Sequence, residues 1–127
     1  MHTNDVENQK FKSNSAKVQG VATAAGCQLV ATCDLAIAAE QARFATSGVN
    51  YGIYCSTPAV PLSRSIHPKK ALEMLITGAF LSAKEAKEEG LVNKVVAAEE
   101  LEEAVLKMAT TIAQKGQDAL TLSLIHI

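Results

Sequence analysis

The run Gly20–Cys27, GVATAAGC, sets glycine and alanine directly ahead of a helical pattern. That is the composition of a turn whose backbone N–H groups a ligand could reach. The first N–H groups of a helix have no intrahelical acceptor and lie at the positive end of its dipole, so they can bind an anion or polarise a carbonyl. Only small side chains let a ligand approach such a backbone closely. The same composition also serves a tightly packed turn with no ligand. GVATAAG has neither the GK[ST] ending of a Walker A loop nor GxGxxG spacing, so nucleotide phosphate binding of those kinds is unsupported. Cys27, Cys33 and Cys55 form no CxxC and have no His or acid cluster at ligand spacing. They read as small buried hydrophobes in a reducing compartment, neither a zinc site nor a disulfide framework. Asp34 reads as a cap or turn residue and His67, beside Pro68, as an exposed helix start. Tyr51 and Tyr54 read as lining of a small core, and KEAKEE as a solvated helix face.

The elements that would position the turn alternate between strand and helix. AKVQG from Ala16 reads as the tail of a strand, and Gly26–Cys33 as a helix with Leu29, Val30 and Cys33 on one face, ended by Asp34. DLAIAA is a buried strand with Leu35 and Ile37 on one face, and ARFA a second short one. SGVNYGIYCSTP is a loop that ends in a helix start, with Ser56 or Thr57 as N-cap and Pro58 at the first helical position of a helix through Ser65. Pro68 opens the next helix, which Gly78 closes at C′; Ser82 and Glu85 form a capping box for a third, closed by Gly90. LVNKVV is a strand. A last helix, about Ala98 to Gln114, places Leu101, Val105, Met108 and Ile112 on one stripe, with glutamates near its positive end. The fold class is α/β.

A chain of 127 residues with 48% hydrophobic and 20% charged residues fits one globular unit. Its 12 basic and 13 acidic residues leave no excess charge for nucleic acid or an anionic membrane, and 4% aromatics without Trp leave little to stack on bases. No apolar run reaches the roughly 18 residues of a membrane helix. The start, MHTNDVENQKFKSNS, has no signal-like apolar core; Asp5 and Glu7 count against a mitochondrial presequence, and residues 1–15 read as a disordered leader.

Taken as one run, Ala16 to Met108 resembles the enoyl-CoA hydratase/isomerase (crotonase) superfamily. VQGVATAAGCQLVATCDLAIAA is similar to its second oxyanion-hole segment. ARFATSGVNYGIYCSTPAVPLSRSI is similar to the active-site loop and helix that follow, and ALEMLITGAFLSAKEAKEEGLVNKVV to its downstream stretch. The resemblance implies part of a spiral of ββα units, assembly of the whole protein into homotrimers or hexamers, and an acyl-CoA thioester as substrate or ligand. No other cofactor and no metal is implied. It places a backbone N–H donor for a thioester enolate at Ala25, in the place of the middle glycine of a Gly-Gly-Gly turn, and acyl-CoA contacts at Ala24, Gly26, Val49 and Tyr51. The two glutamates with which hydratases move protons fall on Gln28 and Gly48, neither of which can transfer a proton. Read without the resemblance, Gln28 is a helix residue bonding nearby backbone and Gly48 a turn glycine.

The resemblance covers fewer than half of the family's elements and leaves out the loop carrying the other oxyanion donor, so the expectation is a partial domain, residues 16–121, of marginal stability and without catalysis. Residues 122–127, LSLIHI, read as the translation of a sequencing adapter. Two functional classes stay open: a family enzyme acting through a thioester enolate, and a non-catalytic acyl-CoA-binding or regulatory subunit. Cytoplasm or mitochondrial matrix is the expected location.

Overall fold

The computed structural model describes residues 13–126. Most of the expected leader, residues 1–12, and Ile127 at the other end lie outside the described residues.

Two consecutive strand–strand–helix units lie one on the other. The first is β1 (Ser15–Val18), β2 (Val21–Thr23) and α1 (Ala25–Thr32); the second is β3 (Leu35–Ala39), β4 (Arg43–Ala45) and α2 (Ser56–Ser65). β1 pairs in parallel with β3, Ser15 opposite Leu35, while β2 pairs in parallel with β4, Val21 opposite Arg43. Each turn of the chain therefore adds one strand to each of two sheets, the geometry of a spiral. After α3 (Pro68–Thr77), a third turn supplies β5 (Leu81–Ser82), α4 (Ala83–Glu89) and β6 (Lys94–Val96). β6 extends the first sheet to the order β1-β3-β6, and β5 closes the second antiparallel to β4, giving β2-β4-β5. α5 (Leu101–Ala113) and α6 (Gln117–His126) end the described chain.

The central strand β3 is buried on both sides, as a strand between two parallel neighbours must be. Ala36 and Ala38 face the larger core with Cys27, Phe44, Leu62, Met74 and Leu81, while Ile37 and Ala39 face a smaller one with Val96 and Leu101. Val105 and Met108 pack against the smaller core as their stripe predicts. Alanine on the larger-core face leaves room for α1 and α2 to come close, because it carries no volume beyond Cβ.

Several expectations fail for identifiable reasons. Leu29 is exposed, and α1 buries Cys27 and Val30 instead. Cys33 is half-buried and forms the C-cap. α2 has Cys55 as its N-cap, with no side-chain cap, so Pro58 stands at the third helical position. A proline needs no N–H donor anywhere in the first turn, so the sequence signal does not fix which of those positions it takes. LVNKVV forms a strand only from Lys94; Leu91 and Val92 are core residues of the preceding turn. Asp34 does act at a turn: its carboxylate accepts the Asn14 N–H at 2.8 Å. α6 runs through residues 122–126 and buries none of them.

Candidate functional site

The turn between β2 and α1 is strained. Ala24 has φ +48° and ψ −115°, the one non-glycine residue with positive φ among the described residues, and such a conformation costs on the order of 1–3 kcal/mol. It is held from both sides: Ala24 N–H donates to the Ala45 carbonyl at 3.1 Å, and the Ala24 carbonyl accepts from Gln28 N–H at 3.0 Å. The reversal starts α1 at Ala25 with no side-chain cap and no acid in its first turn. The N–H groups of Ala25, Gly26 and Cys27 consequently have no acceptor among the described residues. Ala25 is exposed, and at Gly26 a Cβ would meet only the Ala22 methyl, at 3.9 Å, so the donor edge is unobstructed.

Beside this turn lies the segment that leaves β4. A 3-10 helix, Ser47–Tyr51, replaces the expected loop and ends at Gly52, whose φ of +70° is the left-handed conformation that glycine adopts freely. The Ser47 and Thr23 hydroxyls lie 3.2 Å apart, a hydrogen bond that ties the segment to the end of β2. Ile53 N–H donates to the Gly48 carbonyl at 3.0 Å. Thr46, fully buried between strand and helix, has a hydroxyl with no partner among the described residues.

The structure thus brings the Ala24–Ala25–Gly26 turn next to the segment holding Gly48 and Val49, both half-buried. Tyr51 ends the same 3-10 helix. It is 80% exposed and Tyr54 70% exposed, so neither lines a core. Gln28 is half-buried, and its side chain has no hydrogen-bond partner among the described residues, contrary to the backbone bonding expected of it. It lines an open groove of about 440 Å³ between α1 and α2 together with Thr32, Thr57 and Arg64. Behind the turn, burial pushes the Cys27 thiol up to about 11, with the neighbouring Cys55 adding to the shift; Cys27 is a packed hydrophobe, as expected. Among the described residues no three His, Cys, Asp or Glu side chains converge as a metal site. The site can donate hydrogen bonds from its backbone, and positions 28 and 48 carry no group that could move a proton.

A model of the enoyl-CoA hydratase/isomerase family matches residues 12–124. The chain belongs to that family. Family members of known sequence include enoyl-CoA hydratase domain-containing protein 3, mitochondrial, of the rat, 53% identical over 107 residues, which are 84% of this chain and 36% of the rat protein. The human protein of the same name is 50% identical over an equal share of this chain. The crystal structure of human enoyl-CoA hydratase domain-containing protein 3 superposes with a TM-score of 0.83 at 50% identity, over 86% of this chain and 43% of that one. An enoyl-CoA hydratase from Mycobacterium smegmatis superposes with a TM-score of 0.81 at 55% identity, over 83% and 41%. The chain therefore spans little more than a third of the length of these curated relatives, and the spiral of strand–strand–helix units is part of the family fold.

Sequence reasoning missed three features of the site. The left-handed strain at Ala24 has no signal in an alanine. The buried Thr46 hydroxyl, and the Cys55 thiol standing 2.6 Å from where a Cβ on Gly48 would lie, arise from contacts between strand end and helix start that no local pattern encodes.

Proposed function

We propose that this chain carries an acyl-CoA-binding half-site of an enoyl-CoA hydratase/isomerase family protein, with the Ala25 N–H as a donor to the thioester carbonyl oxygen. The observation that carries the reading is the strained Ala24 turn, which leaves the first N–H groups of α1 unpaired and open. When a proton leaves the carbon next to a thioester carbonyl, the electron pair moves onto the carbonyl oxygen. A donor fixed toward that oxygen stabilises the enolate more than the neutral thioester, and losing one such donor typically costs about 3–4 kcal/mol. Ala24, Gly26 and Val49 would line the carbonyl, and Tyr51, at 80% exposure, would reach a ligand only from the solvent side.

A second reading, a non-catalytic acyl-CoA-binding or regulatory subunit, is supported by Gln28 and Gly48, which hold the places of the family's proton-moving glutamates without being able to titrate. In either case the whole protein is a homotrimer or hexamer, in the mitochondrial matrix or cytoplasm, taking part in fatty acid metabolism. The matrix is favoured by the mitochondrial relatives. Titration calorimetry with crotonyl-CoA and with free coenzyme A tests the site. Crotonyl-CoA is expected to bind more tightly than coenzyme A. Equal binding of the two ligands would overturn the reading.

A further inference from the structure

Gly48 is hemmed in. A Cβ built on it would stand 2.6 Å from the Cys55 sulfur and 3.1 Å from the Ile53 carbonyl oxygen. The first distance lies far inside van der Waals contact, so the sulfur would have to move. It has little freedom to do so. Cys55 is 8% exposed and is the N-cap of α2, its carbonyl accepting the Ala59 N–H at 3.1 Å, and its thiol belongs to the same packed core as Cys27, which is fully buried. The Gly48 backbone is fixed too, by the Ile53 N–H on its carbonyl. Backbone strain plays no part, since Gly48 is not among the glycines with positive φ. What forbids a side chain at 48 is the thiol of a residue seven positions later.

We infer that Cys55 is the residue that determines the chemistry available at position 48: its thiol fills the space into which any side chain there must project, so Gly48 and Cys55 act as a pair that keeps the site without an acid at this point. Replacing Gly48 with glutamate would not install a proton-transfer group while Cys55 stands. The packing claim is independent of any ligand; its meaning for acid–base chemistry rests on the acyl-CoA reading above.

A double-mutant cycle on the full chain, followed by thermal unfolding, tests the pair. Overpacking of this kind is expected to lower the midpoint of Gly48→Ala by about 5–10 °C or to prevent folding. In the Cys55→Ala background, which lacks the sulfur, the same change is expected to cost less than half as much, the remainder coming from the Ile53 carbonyl. If Gly48→Ala does not fold, a folded Gly48→Ala/Cys55→Ala double variant supports the pair. An equal drop in both backgrounds, no drop in either, or a double variant that fails to fold where Cys55→Ala folds would overturn it. Crotonyl-CoA titration of the unsubstituted chain is read separately, so absence of thioester binding there would remove the acyl-CoA reading and leave the packing result standing.

Discussion

Two stretches of this chain are built by opposite means. From Pro68 to Gly90 each helix is closed by its own neighbours: Pro68 opens α3, Gly78 ends it at φ +66°, Ser82 and Glu85 exchange hydrogen bonds around the start of α4, and Gly90 ends that at φ +93°. From Thr23 to Cys55 the termini lack side-chain caps. The Ala24 turn is held by Ala45, the 3-10 helix by Thr23, and Gly48 is shaped by Cys55. α3 also starts without a side-chain cap, at His67, so what sets the candidate site apart is the start of α1, where three successive N–H groups have no acceptor among the described residues. The capping box takes the Glu85 N–H of α4, and Pro68 brings no N–H to α3, whereas the bare start of α1 keeps the N–H groups of Ala25, Gly26 and Cys27 together.

Breaking the link between the two regions has the largest expected effect. Phe44, fully buried, stands opposite Leu81 where β4 of the site region meets β5 of the capped one. Phe44→Ala is expected to cost about 3–5 kcal/mol, read as loss of a cooperative transition in urea. Gly78→Ala attacks the capped region at its left-handed stop. A Cβ there would lie 2.8 Å from the Asn50 side-chain amide besides the unfavourable φ, and a cost of about 2 kcal/mol is expected in the same measurement.

Ala24→Gly sharpens the contrast, because it should work in the other direction. Glycine removes the strain of a positive φ, less the entropy it adds to the unfolded chain, and a gain of about 1 kcal/mol is expected. A loss would mean that the turn is not strained. Ser82→Ala is expected to cost about 1 kcal/mol by removing one half of the capping box.

The smallest expected effect is a pH dependence. The Ser82 N–H, and after it the Ser82 hydroxyl, hold the Glu85 carboxyl below its usual 4.5. A depressed folded pKa contributes stability that is present above the unfolded value and is lost as pH falls through the folded one. Thermal midpoints are therefore expected to fall below about pH 4.5 and to fall less steeply in Ser82→Ala, which keeps only the backbone donor.

The same contrast explains what could be read from the sequence. Pro68, Gly78, Ser82, Glu85 and Gly90 act within one helical turn of where they stand, so residue type alone places them. Alternation in β3 was equally legible, because strand geometry makes successive side chains face opposite cores. The unpaired start of α1 could be anticipated from a run of small residues, though not the φ of Ala24, which depends on a hydrogen bond to Ala45 twenty-one residues away. Leu29, Tyr51 and Tyr54 misled because a hydrophobic residue type says nothing of which side of a short helix or loop faces outward.

The most direct measurement is an amide-detected NMR titration of the isotopically labelled 127-residue chain with crotonyl-CoA, using coenzyme A as the control. The expected result is a saturable downfield shift of the Ala25 amide proton, with smaller shifts at Gly26, that the thioester produces and coenzyme A does not. An Ala25 amide that stays unmoved while amides elsewhere report bound crotonyl-CoA would contradict the assignment of the Ala24 turn as the carbonyl site.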